Sequence, residues 1–133
     1  MGLSRPYSGM GGTILMLVNT RPRHKNAPRP AWKVATSYLK WLRGRPCAAD
    51  GYGLCEGRME AAHVDHAGGK GMGTKVADKH AIPLCEGHHR RQHTRGWQTF
   101  EGECLGGKSA VAMADAYWRA WPGRVAWEME NDQ

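Results

Sequence analysis

Residues 82–97 read IPLCEGHHRRQHTRGW, and three histidines and one cysteine lie within nine residues of this stretch. The apolar residues 81–84 predict a strand, and the polar residues 86–93 predict a helix that begins directly after it. On such a helix, His89 and His93 are one turn apart and share a face. Their imidazoles can therefore bind one divalent cation.

A second set of metal ligands surrounds the predicted start of this helix. His88 points about 100° away from its neighbour His89, so the two histidines are not expected to share a cation. Instead, His88 forms a C-x-x-H spacing with Cys85, which is typical of zinc sites. Two upstream cysteines can complete a Cys₃His site, although seven residues separate them instead of the usual two. The predicted ligands of a structural zinc are Cys47, Cys55, Cys85 and His88.

The alternative to both metal sites is a run of exposed histidines on a surface helix, with Cys85 buried as a small apolar side chain. Cys104 is either a spare thiol or a competing zinc ligand. The chain has no apolar run of transmembrane length, and its longest run, at 13–18, is too short for a signal peptide. We therefore expect a cytoplasmic protein, in which clustered cysteines indicate a metal before they indicate a disulfide.

The surrounding segments predict one α+β domain at 31–133. A helix over 31–43 is followed by a loop-rich segment, and a short strand is expected at about 61–64. The final helix, at about 109–121, is predicted to begin after the N-cap Ser109. Residues 1–30, rich in glycine, proline and arginine, read as a flexible basic arm.

The positive charge of the chain is concentrated at its N-terminus. The formal net charge is +7, and residues 1–46 contain nine lysines and arginines but no acidic residue. The remainder has ten basic and twelve acidic residues. Such a segment favours a phosphate backbone as partner, through counterion release. The alternative is a solvated tail that keeps the protein soluble.

These features follow one another along the chain in an order that a known family shares. Residues 63–93 read HVDHAGGKGMGTKVADKHAIPLCEGHHRRQH. This pattern resembles the HNH, or ββα-metal, endonucleases, in which a strand histidine, a loop, a second strand and a helix with metal ligands follow one another. The ending matches L-C-x-x-C-H-x-x-x-H, with His88 in place of the second cysteine. The glycine-rich loop followed by the pattern PLC..HH...H is most similar to small phage and prophage members, including recombination-enhancement nucleases.

The resemblance implies a small ββα-metal core at about 45–100, with flanking helices and a loop-rich segment stapled by zinc. It places His89 and His93 at metal-ligand positions. For the general base, the pair Asp65–His66 fits one pattern of the family and His63 fits another. Strand alternation puts His63 and Asp65 on the same face. We therefore predict His63 as the base with Asp65 as a further metal ligand, and keep His66 as the alternative base.

The loop between the two strands departs from the family pattern. The asparagine that fixes this loop in the family is missing, His80 occupies about its position, and Asp78 is an alternative brace. Glycines at 68, 69, 71 and 73 can let the backbone approach DNA closely, or simply form a flexible loop. The predicted phosphate contacts, each of which could equally be a solvated charge, are Lys70, Lys75, Arg90, Arg91 and Arg95.

The sequence thus predicts a metal-dependent endonuclease that hydrolyses DNA phosphodiester bonds with a histidine base and one divalent ion, which is Mg²⁺, Mn²⁺ or Zn²⁺. The resemblance suggests a phage or prophage origin, and it leaves open a recombinase filament as a partner. The alternative is a non-catalytic zinc-stapled module that binds nucleic acid.

A third motif has the letters of a nucleotide-binding loop. Residues 102–109, GECLGGKS, match the P-loop pattern, but no buried apolar strand precedes them and only 24 residues follow Ser109. A parallel sheet cannot be built from so short a remainder. We therefore expect a turn and a helix N-cap here and no bound nucleotide, and we expect the aromatic side chains of the last helix to pack in the core.

Overall fold

The computed structural model describes residues 29–67 and 76–131. Nearly all of the predicted arm 1–30 lies outside the described residues, as does the apolar run 13–18. The glycine-rich part of the loop also lies outside them, with the predicted DNA contacts Lys70 and Lys75.

A two-stranded antiparallel hairpin forms the centre of the described chain. Strand β1 is Met59–His63 and β2 is Ala81–Cys85, paired in register from Met59 opposite Cys85 to His63 opposite Ala81. Both predicted strands are confirmed, but β1 begins and ends earlier than predicted. A turn causes the early end, because the backbone N–H of Ala67 donates to the carbonyl of Val64 at 2.9 Å.

Within the described residues, five α-helices accompany the hairpin, which confirms a mixed α+β fold. Two short 3-10 turns, at Ala31–Lys33 and Asp78–His80, precede α1 and β2. The α-helices are α1 Thr36–Leu42, α2 Glu86–Arg95, α3 Trp97–Cys104, α4 Ala110–Ala120 and α5 Arg124–Asn131.

Helix α1 is shorter than the predicted helix over 31–43. Val34 is extended, and the backbone N–H of Ala35 donates to Oδ2 of Asp78 at 2.8 Å. This contact with a distant carboxylate separates the 3-10 turn from α1. Helices α3 and α5 were not predicted from the sequence.

The hydrophobic core has two parts that meet at the hairpin. In one, Ile82 and Leu84 of β2 pack with Phe100 of α3, and in the other, Tyr38 of α1 packs with Trp118 of α4. The Tyr38 and Trp118 rings meet edge to face, with centroids 4.9 Å apart. All five residues of β2 are buried, so the hairpin is held from both sides. The expectation that the aromatic side chains of α4 pack in the core is confirmed.

The P-loop-like segment lies between two helices. Gly102 and Cys104 belong to the last turn of α3, and Oγ of Ser109 accepts a hydrogen bond from the backbone N–H of Ala112 at 3.2 Å. The predicted N-cap is therefore confirmed, and no strand leads into this segment. Within residues 29–67 and 76–131, no helix has the length and apolar character needed to span a membrane.

Candidate metal centre and active site

The four predicted zinc ligands converge at the point where β2 meets α2. Nδ1 of His88 lies 3.2 Å from Sγ of Cys85, 3.5 Å from Sγ of Cys47 and 3.7 Å from Sγ of Cys55. All four ligand atoms lie within 4.8 Å of one another. In a tetrahedral zinc site with ordinary bond lengths, ligand atoms are separated by about 3.5 Å. The Cys₃His group therefore fits a zinc ion in both chemistry and spacing.

Local structure explains why distant residues meet at this centre. Cys85 ends β2 and caps α2, and its Sγ accepts hydrogen bonds from the backbone N–H groups of His88 and Glu56, each at 3.4 Å. The ring of His88 is oriented by Nε2, which donates to the carbonyl of Tyr52 at 3.0 Å. This second hydrogen bond leaves Nδ1 unprotonated and free to bind a metal, as is usual for histidine ligands.

The seven-residue gap between Cys47 and Cys55 is accommodated by a tight loop. Gly51 and Gly53 adopt φ angles of 95° and 104°, a conformation that strongly favours glycine. The backbone N–H of Ala48 also donates to the carbonyl of Pro83 at 2.8 Å, which holds the loop against β2. The unusual spacing is therefore compatible with a shared ion.

The electrostatics of Cys85 favour metal binding. Burial acts to raise the pKa of its thiol, but hydrogen bonds, the largest of them from the backbone N–H groups of His88 and Glu56, lower the pKa to about 7. The thiolate is the form that binds zinc. Cys104 is buried in the same hydrophobic cluster as Cys47 and Cys85 but does not belong to the ligand group.

His63, the predicted general base, is held by a carboxylate. Its Nε2 lies 2.9 Å from Oδ1 of Asp78, and the two side chains are 33% and 3% exposed. Burial acts to raise the pKa of Asp78, but hydrogen bonds from His63 and the Ala35 N–H, together with the charge of Arg29, keep this pKa below its ordinary value. An ionised carboxylate only accepts hydrogen bonds, so Nε2 of His63 carries the proton. Within the described chain, Nδ1 of His63 has no hydrogen-bond partner.

His89 makes a similar pair with a different carboxylate. Its Nδ1 lies 2.7 Å from Oε1 of Glu60, and its ring centroid is 4.8 Å from that of His93. Metal-binding histidines commonly donate one ring nitrogen to a carboxylate and bind the metal with the other. The arrangement leaves Nε2 of His89, beside the exposed His93, available to a cation.

The predicted base His63 and the predicted metal ligand His89 hydrogen-bond to different carboxylates. Glu60 and His63 are three residues apart on β1, so their side chains leave opposite faces of the strand. No contact within the described residues joins His63 to His89 or His93. Among the described residues, the Cys₃His group is the one set of three or more metal-ligating side chains whose ligand atoms converge.

The other two predicted site residues of this region lie beyond the end of β1. Asp65 and His66 are both exposed in the turn that follows the strand. The centroid of the His66 ring lies 6.3 Å from that of Trp97. His80 braces the loop through its backbone carbonyl, which accepts a hydrogen bond from the Val64 N–H at 2.7 Å. The roles of Asp65 as a ligand and His66 as a base stay predictions.

The three arginines predicted to contact DNA lie on α2 and pair with glutamates. Arg90 contacts Glu56 at 3.2 Å, and Arg91 and Arg95 contact Glu103 at 3.2 Å and 2.7 Å. Hydrogen bonds from Arg95 and then Arg91 lower the pKa of Glu103. All three guanidinium groups are exposed, so their pairs with carboxylates can exchange for phosphates at little cost.

Sequence reasoning did not single out Glu60 and gave Asp78 only the role of a loop brace. Glu60 is the acidic residue of β1, and the register places it opposite Leu84, two residues before α2 begins. A hairpin register drawn from the two predicted strands is the signal that identifies it. No comparable signal places Asp78 against His63, because the loop between the strands sets that contact.

Comparison with known proteins gives the chain a family. Residues 18–114 match the family described as a protein of unknown function (DUF968). The chain belongs to the DUF968 family. The matched region begins within the predicted basic arm and contains the hairpin, the Cys₃His group and both histidine–carboxylate pairs.

One curated relative of this DUF968 chain is the uncharacterized protein YdfU of Escherichia coli (strain K12). The two are 36% identical over 66 residues, which is 50% of this chain and 18% of YdfU. The chain thus spans less than a fifth of the length of that relative. No solved structure gives a significant match.

Proposed function

We propose that this chain is a metal-dependent endonuclease of the HNH type that hydrolyses DNA phosphodiester bonds. The observation that carries the proposal is the contact between Nε2 of His63 and the buried carboxylate of Asp78, at 2.9 Å. A histidine whose one ring nitrogen donates to a carboxylate presents the other nitrogen as a proton acceptor. This is the arrangement of a base and its orienting group in many hydrolytic sites.

In the proposed reaction, Nδ1 of His63 accepts the proton of the attacking water. Asp78 stabilises the imidazolium that forms and keeps the ring in one orientation. His89 and His93 would hold the divalent cation, with Glu60 orienting His89. When bound, such an ion stabilises the charge that develops on the phosphate and on the leaving oxygen.

The remaining parts of the proposal have supporting roles. The Cys₃His group, loaded with zinc, fixes the loop at 47–55 against β2 and α2. Basic side chains of the N-terminal third and of α2 supply affinity for the DNA backbone. We place the protein in the cytoplasm of a bacterial host, encoded by a phage or prophage, with a recombinase filament as a candidate partner.

A second candidate function is a non-catalytic zinc-stapled module that binds nucleic acid. It is favoured by one observation, namely that Cys₃His is the convergent ligand group of the described residues, while His63 takes a different partner from His89. In this case the histidines outside the zinc group only stabilise the fold.

Nicking of supercoiled plasmid with added Mg²⁺ or Mn²⁺ separates the two functions. The nuclease is supported if EDTA stops cleavage and if His63→Ala and His89→Ala each abolish it. The matched control is His66→Ala, which removes an exposed histidine of the adjoining turn and is expected to retain activity. A zinc-loaded, folded wild type that binds DNA but cleaves neither duplex nor single strands would favour the binding module. Loss of activity in His66→Ala alone would move the base to that residue.

A further inference from the structure

Arg29 reaches three acceptors that belong to separate parts of the chain. Its Nη1 donates to Oδ1 of Asp78 at 3.2 Å, and its Nη2 donates to the carbonyls of Val76 at 3.0 Å and Lys33 at 3.2 Å. One contact therefore lies on the carboxylate that meets His63. The other two lie on the backbone at the end of the interstrand loop and at the end of the 3-10 turn that precedes α1.

These contacts determine how the Asp78 carboxylate is oriented. Oδ2 accepts from the Ala35 N–H at 2.8 Å, while Oδ1 accepts from both Arg29 and His63. Two donors on one side and one on the other fix the plane of the carboxylate. The positive charge of Arg29 also favours the ionised form of Asp78, which can accept a hydrogen bond from His63 but cannot donate one.

A lysine cannot replace this arrangement. The planar guanidinium holds several donors in a fixed fork, whereas a lysine ammonium is a single compact charge on a flexible stem. Arg29 is thus suited to join Lys33, Val76 and Asp78 at once, and only one of these three contacts is an ion pair. Its side chain is 33% exposed and that of Asp78 is 3% exposed, so the ion pair is partly shielded from water.

We propose that Arg29 is a positioning residue for His63: by holding the Asp78 carboxylate, it keeps the imidazole proton on Nε2 and leaves Nδ1 as the acceptor. This inference rests on the proposed function, in which His63 is the general base. It extends the site into the basic N-terminal third, where charge alone indicated only an affinity for phosphates.

The test is a long-range ¹⁵N–¹H spectrum of the histidine rings in the zinc-loaded full chain, with the His63 signals assigned from their loss in His63→Gln. The wild type is expected to show a protonated Nε2 and an unprotonated Nδ1. Arg29→Gln and the milder Arg29→Lys are expected to shift His63 towards a mixture of tautomers. In plasmid nicking, both variants should lower kcat about 10-fold with KM unchanged.

Arg119→Lys provides the matched control. Arg119 also pairs with an aspartate, Asp115, at 3.1 Å, but both side chains are largely exposed. This variant is expected to leave the His63 signals and kcat unchanged.

Two outcomes would overturn the inference. A wild-type spectrum with the proton on Nδ1 of His63 does so without any variant. Lowered melting temperatures in both Arg29 variants, with wild-type tautomer and kcat, would show that Arg29 only supports the fold. A different result would separate the two proposals. If the wild type cleaves no DNA but Arg29→Lys still shifts the His63 tautomer, the positioning contact is supported and the proposed nuclease is refuted.

Discussion

The imidazole of His63 donates from Nε2 to Oδ1 of Asp78 at 2.9 Å, across 15 positions of sequence. Because Asp78 also accepts from the backbone of Ala35, this one carboxylate joins the end of β1, the 3-10 turn before β2 and the start of α1. The contact therefore has consequences for stability that can be measured without any assay of catalysis.

Asp78→Asn is expected to lower the free energy of unfolding by about 2 kcal/mol at pH 7, since hydrogen bonds to a charged group are lost or weakened. The pKa of Asp78 is lowered in the folded state, so its contribution is complete above the ordinary value near 3.9. It is lost as the pH falls through the lower folded pKa. Urea unfolding at several pH values should show the difference between wild type and variant shrinking below about pH 4.

Asp115→Asn serves as the control for this measurement, because Asp115 makes an exposed pair with Arg119. Its effect should remain within about 0.5 kcal/mol at every pH. A constant difference between wild type and Asp78→Asn across the whole pH range would contradict an ionised, hydrogen-bonded Asp78.

The Cys₃His group predicts one tightly bound zinc per chain. Metal analysis of the purified protein should find it, and Cys85→Ser and His88→Ala should each lose it and unfold at a lower temperature. The expected loss is large, because structural zinc supplies about 10 kcal/mol or more of binding free energy in small domains. Cys104→Ser offers the comparison, since Cys104 is an equally buried thiol outside the group. Retention of zinc in Cys85→Ser would refute the assigned ligand set.

The sequence predicted the central part of the fold well, because strong local signals agree there. Apolar residues run without interruption up to Cys85, the polar stretch begins at Glu86, and the cysteine itself caps the helix, so strand and helix boundaries are found almost to the residue. The zinc group was accessible for the same reason, since C-x-x-H spacing has a direct geometric meaning.

The sequence was less informative where tertiary contacts decide the structure. Helix α3 was not predicted because its buried residues, Trp97, Phe100 and Cys104, are few and lie among polar ones. The carboxylate partners of the histidines were also not assigned. Glu60 reaches His89 through the hairpin register, and Asp78 reaches His63 through a loop whose path no periodic pattern encodes.

The N-cap of α4 predicts a modest and specific effect. Ser109→Ala removes the hydrogen bond to the Ala112 N–H and should cost about 1 kcal/mol, whereas Ser109→Asp should retain most of the stability. Lys108→Ala should change stability by less than about 0.5 kcal/mol. ATP should leave the melting temperature of all these variants unchanged. If ATP raised the melting temperature of the wild type but not that of Lys108→Ala, the P-loop interpretation of 102–109 would be established.

Oε1 of Glu60 lies 2.7 Å from Nδ1 of His89. If this contact orients His89 for a cation, Mn²⁺ added to the zinc-loaded chain should broaden the ring signals of His89 and His93 before those of other histidines. Glu60→Gln should weaken Mn²⁺ binding about 10-fold to 100-fold, because an amide is a poorer acceptor for the ring N–H than a carboxylate.

Glu56→Gln controls for the loss of a surface charge on the same side of the molecule, since Glu56 pairs with the exposed Arg90. This variant should bind Mn²⁺ like the wild type. Equal weakening in both variants would assign the effect to general electrostatics rather than to the orientation of His89. Absence of selective broadening in the wild type would remove the divalent site from α2, and with it the metal-dependent mechanism proposed for His63.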